Sequence, residues 1–283
     1  MKKWLICLLV VVMLMSTVMF VACNNNPPEP QQPVETKVTV KITDDGNCFQ
    51  KISFSIDKGT VLDASLYQNI VRINNGSKMV YFLGEWTTST GEKFDFSQPI
   101  NEDVTISPQK VQLYFEKDNY PYITMYANEE LKDNPNMTTV VLPIKSPVTG
   151  NSMPNSTLVG SQASDSIFDG FNYIEVAVIP EEIHNVQGAL FYNCTSLKEV
   201  YFPGYGYYMG RTVTSDFLLG CSALEHIYFS DEDAMQDFAT MLIDAIADAQ
   251  KEGQDTSNLE RLTDLLAVKT APYMYWDADN QQG

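Results

Sequence analysis

Phe191-Tyr192-Asn193-Cys194-Thr195-Ser196-Leu197-Lys198-Glu199-Val200-Tyr201-Phe202-Pro203 decides how the chain is read, because its pattern returns 27 residues later as Leu218-Leu219-Gly220-Cys221-Ser222-Ala223-Leu224-Glu225-His226-Ile227-Tyr228-Phe229. Both stretches end in apolar-x-x-apolar-x-apolar. Two earlier segments share that ending, Met137-Thr138-Thr139-Val140-Val141-Leu142 and Ile174-Glu175-Val176-Ala177-Val178-Ile179, and Phe168-Asp169-Gly170-Phe171 supplies a matching leading half. Pro143, Pro180 and Pro203 close the first three segments, and Ser230 stands in that place after the fourth. The segments are spaced by 37, 23 and 27 residues. A short alternating run is a strand, and a repeat of this length is one supersecondary unit whose apolar face only its neighbours can bury.

If the four strands stack in parallel, the residues between the buried ones form rows on the other face. One row is Val141, Val178, Tyr201 and Tyr228, flanked by Thr138, Glu175, Lys198, Glu225 and by Thr139, Val176, Glu199, His226. An apolar row edged by charge suits protein binding, although β-branched and aromatic residues also simply favour strands. The extra length between the third and fourth segments holds Gly204-Tyr205-Gly206-Tyr207-Tyr208-Met209-Gly210. There Tyr205, Tyr207 and Tyr208 offer flat faces to a sugar or a protein, or fold back onto the repeats.

The run from Phe191 to Pro203 resembles the bacterial-surface-antigen (BspA-like, Treponema) type of leucine-rich repeat. The resemblance covers about 137–229 and implies a short solenoid over 117–230, with Phe191, Cys194 and Leu197 in its core and Cys221 and Leu224 one rung on. Cys194 and Cys221 are expected as stacked, buried thiols, with a bridge between them as the other reading. A solenoid needs atypical ends. Ser230-Asp231-Glu232-Asp233 is a helix start, and Phe238, Leu242 and Ile246 recur every four residues. Helices are expected at 231–251 and about 258–268, forming a cap over 231–270, with the tail 271–283 unassigned.

The first half reads as β. Val38 to Ile42 and Ile52 to Ile56 alternate strictly, and Asp44-Asp45-Gly46-Asn47 and Asp57-Lys58-Gly59-Thr60 supply turn chemistry. Leu62, Leu66 and Ile70 recur at helical spacing, so 61–71 is expected as a helix or an irregular crossover. Gly59-Thr60-Val61, Trp86-Thr87-Thr88 and the run from Gly91 to Ile106 resemble the Listeria–Bacteroides repeat, the β-grasp-like module of internalin-type surface proteins. That family has Gly directly before the Trp, whereas here Glu85 separates Gly84 from Trp86. The module is expected over 37–115, with Trp86, Phe94 and Phe96 in its core. The fold class expected is therefore mainly β with C-terminal helices: a small β-grasp-like domain followed by a short leucine-rich-repeat solenoid.

Lys2 and Lys3 precede an apolar stretch from Trp4 to Phe20 that ends at Val21-Ala22-Cys23. This is a secretion signal whose end resembles the lipobox of bacterial lipoproteins, with Phe20 where that motif usually has Leu. An uncleaved anchor helix is the competing reading. The resemblance implies a signal peptide over 1–22 and acylation of Cys23. Residues 23–36, with four prolines between Pro27 and Pro33, then form a tether.

The charge is −18, and without Lys2 and Lys3 16 basic residues face 36 acidic ones, a net −20. Such a surface repels nucleic acid. No G-x-S-x-G, H-E-x-x-H, phosphate loop or C-x-x-C occurs, and His184 and His226 are the two histidines. No catalytic residue, metal or cofactor is expected. The function expected is a cell-surface or outer-membrane binding protein, held in the membrane by acyl chains, whose partner is a protein or glycan on a host cell or a neighbouring bacterium. A periplasm-facing structural lipoprotein and a polysaccharide-binding accessory are the alternatives.

Overall fold

In a computed structural model, the described residues are 36–45, 48–49, 52–74, 79–119, 122–142, 166–179, 190–202 and 213–269. Cys23 and the tether, Tyr205, Tyr207 and Tyr208, and the tail 271–283 lie outside them. The chain is mainly β with two helices near its C-terminal end.

The two alternating runs form β1 (Lys37–Ile42) and β2 (Ser53–Asp57). With β3 (Ile70–Ile73), β4 (Val80–Thr88) and β5 (Val104–Gln112) they make a sheet of order β2-β1-β5-β4-β3. β1 and β5 pair in parallel, with Val40 opposite Val104, and β5–β4 and β4–β3 are antiparallel. Alternation gives this sheet two apolar faces. On one, Val40, Ile42, Leu83 and Ile106 bury around Trp86. The Trp86 ring meets Phe49, Tyr67 and Phe96 edge-on, and its Nε1–H donates to the Tyr67 carbonyl at 3.0 Å. On the other face, Val71, Ile73, Val80 and Phe82 join a cluster that continues through the second half of the chain.

The 61–71 stretch is a crossover with a single 3-10 turn at Ala64–Leu66 rather than a helix. The Asp63 carboxylate accepts the Ser65 N–H at 3.0 Å and caps the turn, but the backbone leaves the helical region at Tyr67 (φ −129°) and turns left-handed at Asn69 (φ 55°). Leu62 is buried, but Leu66 is 38% exposed, so the spacing does not build one buried stripe. β6 (Tyr114–Asn119) and β7 (Tyr122–Ala127) form a hairpin, which contains the expected boundary near 115–117.

Each repeat segment supplies one strand: β8 (Thr139–Val141), β9 (Val176–Val178), β10 (Glu199–Phe202) and β11 (His226–Phe229). They pair in parallel in chain order, and β12 (Leu266–Val268) extends the sheet beyond β11. The loops leading into the strands repeat as well. Gly170, Asn193 and Gly220 hold the same place in their segments, and all three are left-handed, with φ of 67°, 57° and 82°. Gly and Asn are the residues that tolerate that region.

The following thiols reach back one unit. Cys194 Sγ donates to the Phe168 carbonyl at 2.9 Å, and Cys221 Sγ to the Phe191 carbonyl at 3.0 Å. Both are buried and unbridged, among equally buried Phe191, Leu197 and Leu224. Burial pushes both thiols up, Cys221 to about 12.

Helix α1 (Glu232–Lys251) starts where expected, with Asp231 Oδ1 accepting the Ala234 N–H at 2.8 Å. Its Phe238 packs on Phe202, Phe217 and Phe229. Helix α2 (Ser257–Thr263) is shorter than the 258–268 expected. Leu266–Val268 pairs with β11 instead, satisfying backbone groups that an open sheet edge would leave bare. Among the described residues no helix is long and apolar enough to cross a membrane.

Candidate binding site

The register places Val141, Val178, Tyr201 and Tyr228 in one row, as the repeat pattern required, and Ala267 continues it. The expectation that this row is exposed is not met. Val141 and Val178 are fully buried, Tyr201 is 1% and Tyr228 9% exposed. The reason is an intramolecular partner. β3 lies against β8, the row shares its cluster with Val71, Ile73, Val80 and Phe82, and the Tyr114 hydroxyl donates to the Val141 carbonyl at 2.7 Å.

At the other end of the row, Tyr201 and Tyr228 lie 4.9 Å apart with the Lys269 ammonium over both rings, at 5.3 and 4.5 Å. Tyr201 also donates to Glu199 Oε2 at 2.7 Å, and burial pushes its phenol up to about 12. The open parts of the sheet are the flanking rows, where Lys198 and Glu175 pair at 2.9 Å and Glu225 and His226 are exposed.

A concave site lies elsewhere, between the β4–β5 ladder and the turn after β7. It is a cleft of about 320 Å³. Its position begins with the residue that separates Gly84 from Trp86. Leu83 faces Lys110 and Trp86 faces Pro108, so Gly84 and Glu85 together oppose Gln109. That is a β-bulge, the device that re-aims side chains beside sites. Both bulge residues and Gln109 line the cleft. On one side stand Gln68 and Asn69, where Asn69 is left-handed at φ 55° and the Trp86–Tyr67 hydrogen bond ties the crossover to β4.

On the other side stand Glu130, Leu131, Asn134 and Asn136. Buried Asn128 fixes that turn, its Nδ2 donating to the Gln112 carbonyl and its Oδ1 accepting the Glu130 N–H, both at 3.0 Å. Asn134 Oδ1 accepts the Asn136 N–H at 3.0 Å and closes the turn beyond. Half-buried Val111 supplies apolar surface beside buried Phe82 and Leu131, and Lys93 pairs with Glu85.

No family model, no curated protein and no solved structure matches this chain. The chemistry of the cleft therefore rests on its own atoms. Amide side chains both donate and accept, and carboxylates accept, so the lining suits a polar ligand. Among the described residues no group of three or more His, Cys, Asp or Glu has the geometry to hold a metal ion. Sequence reasoning missed the cleft, and the one visible signal was Glu85 inserted before Trp86.

Proposed function

We propose that this protein is a lipid-anchored binding protein of a bacterial cell surface, acting by recognition without chemistry. Acylated Cys23 and the 24–36 tether hold it to the membrane. A β-grasp-like module and a leucine-rich-repeat solenoid form one recognition body. The parallel pairing of β1 with β5 supports the first assignment. The parallel strands in chain order, the three left-handed positions and the thiol–carbonyl ladder support the second. The step from solenoid to recognition is one of fold analogy. The observation that carries binding is the preformed polar cleft where the two halves meet, a usual location for ligand sites.

The anchor is tested by expressing the full chain and Cys23→Ala in bacteria fed an alkyne-bearing fatty acid. Wild type is expected to carry the label and sediment with membranes, and Cys23→Ala to lose the label. Equal labelling of the two contradicts the anchor.

A further inference from the structure

We propose that the cleft between the Gly84-Glu85 bulge and the 129–136 turn binds a neutral saccharide; this rests on the binding reading above and names its ligand class. A sugar ring has hydroxyls that donate and accept around its rim, and C–H faces that are apolar. The cleft answers both. Gln68, Asn69, Gln109, Asn134 and Asn136 bring five amides to one concavity, each with an acceptor oxygen and a donor nitrogen. Glu85 and Glu130 add acceptors. Half-buried Val111 gives the C–H face an apolar patch to cover, and Phe82 and Leu131, both buried, also line the cleft.

Charge narrows the class. Glu85 and Lys93 pair, which leaves Glu130 as the unbalanced charge among the lining residues, on a chain of net −18. Sulfated and uronate sugars are repelled by such a field. Size narrows it further, since 320 Å³ lies at the low end of the roughly 300–1,000 Å³ of small-molecule sites. That suits one or two sugar units. An extended peptide added to a sheet is disfavoured, because that mode needs an open strand edge, and the lining here is side chains on the bulged β4–β5 ladder and a turn.

The backbone around the cleft is irregular on each side: a bulge, a left-handed Asn69 and an Asn-capped turn. Trp86 Nε1–H, next to the bulge, donates to the Tyr67 carbonyl in the crossover, and Asn128 and Asn134 Oδ1 accept the Glu130 and Asn136 N–H groups of the turn. Irregular backbone of this kind, bulges above all, is common beside binding sites, and a site held open before the ligand arrives loses less entropy on binding.

The test uses the full chain in a detergent without a sugar headgroup. It is passed over beads carrying glucan, mannan, galactan, xylan or chitin, with polygalacturonate as the anionic counterpart. Retention is expected on at least one neutral polymer, with release by its own oligosaccharides and little retention on polygalacturonate. Gln109→Trp, which fills the cleft from an exposed strand position, is expected to weaken retention more than tenfold. Asn136→Ala, in an exposed turn, is expected to weaken it about two- to tenfold, the loss of one or two hydrogen bonds. If Gln109→Trp does not fold, Asn136→Ala decides.

Absence of retention on every neutral polymer overturns the proposal. So does stronger retention on polygalacturonate, or retention unchanged in the folded variants. Any of these, with fatty-acid labelling of Cys23 intact, removes the ligand class and leaves the anchored-protein reading standing.

Discussion

Replacing Gly220 by Ala tests the repeat geometry at its tightest point. A Cβ built at Gly220 falls 2.4 Å from Asn193 Oδ1 and 3.0 Å from both the Cα and the N of Asn193, in a residue held at φ +82°. The left-handed backbone alone costs an L-residue about 1 kcal/mol. Overpacking against a neighbouring backbone, which cannot rotate away as a side chain can, adds about 1–3 kcal/mol.

The controls are Gly59→Ala and Gly253→Ala, whose φ values are +85° and +70° but where nothing lies within 4 Å. They feel the backbone term alone. Equilibrium urea unfolding of the full chain, followed by far-ultraviolet circular dichroism, should place Gly220→Ala about 2–4 kcal/mol below wild type and the controls within about 1 kcal/mol. Asn193→Gly in the Gly220→Ala background should recover part of the loss by removing Oδ1. A Gly220→Ala cost equal to that of the controls would refute the stacking of Asn193 on Gly220.

Cys194 and Cys221 are unbridged, so dithiothreitol should leave Tm unchanged, and a fall in Tm on reduction contradicts the thiol ladder. Cys221 rises from 9.0 to about 12 on folding and Tyr201 from 10.0 to about 12. A raised pKa means that the folded state holds the proton more tightly, so this stability is complete below the ordinary values and is lost as pH climbs through the folded ones. Urea midpoints should therefore hold to about pH 9 and decline towards pH 12, and a midpoint unchanged at pH 11.5 contradicts the assignment. Tyr114→Phe removes the donor to a buried Val141 carbonyl and should cost about 1–3 kcal/mol, read as one shifted urea transition; a transition that splits in two contradicts the shared core. Asn128→Ala frees the Glu130 turn and should both lower stability by about 1–3 kcal/mol and weaken saccharide retention; retention at wild-type strength separates Asn128 from the cleft.

The strands of the second half were legible because apolar-x-x-apolar-x-apolar recurs with its proline stop, and Val140, Ala177, Val200 and Ile227 are all fully buried. Trp86 and Phe96 were legible as large apolar residues that need a core and are both buried, while Phe94 packs half-buried beside Phe96. The row from Val141 to Tyr228 was placed in the right register but on the wrong side of the solvent boundary. An outward apolar row needs a cover, and a sequence pattern does not say whether that cover is a partner or the chain itself. Here it includes Val71 and Tyr114, tens of residues upstream.

The 258–268 stretch carries apolar spacing that fits a helix. The unsatisfied edge of β11, a tertiary fact, drew its last residues into a strand. The cleft was illegible because it is built from departures: a bulge that exists only relative to Gln109, a left-handed Asn69, and a turn held by Asn128. Local pattern has no period for these.

Protease accessibility of the full chain on intact, unpermeabilised cells, with a periplasmic protein as internal control, tests whether the protein is displayed at the surface. Digestion of this protein while the control is spared is the expected result. Protection of both until the envelope is opened would contradict a surface binding protein.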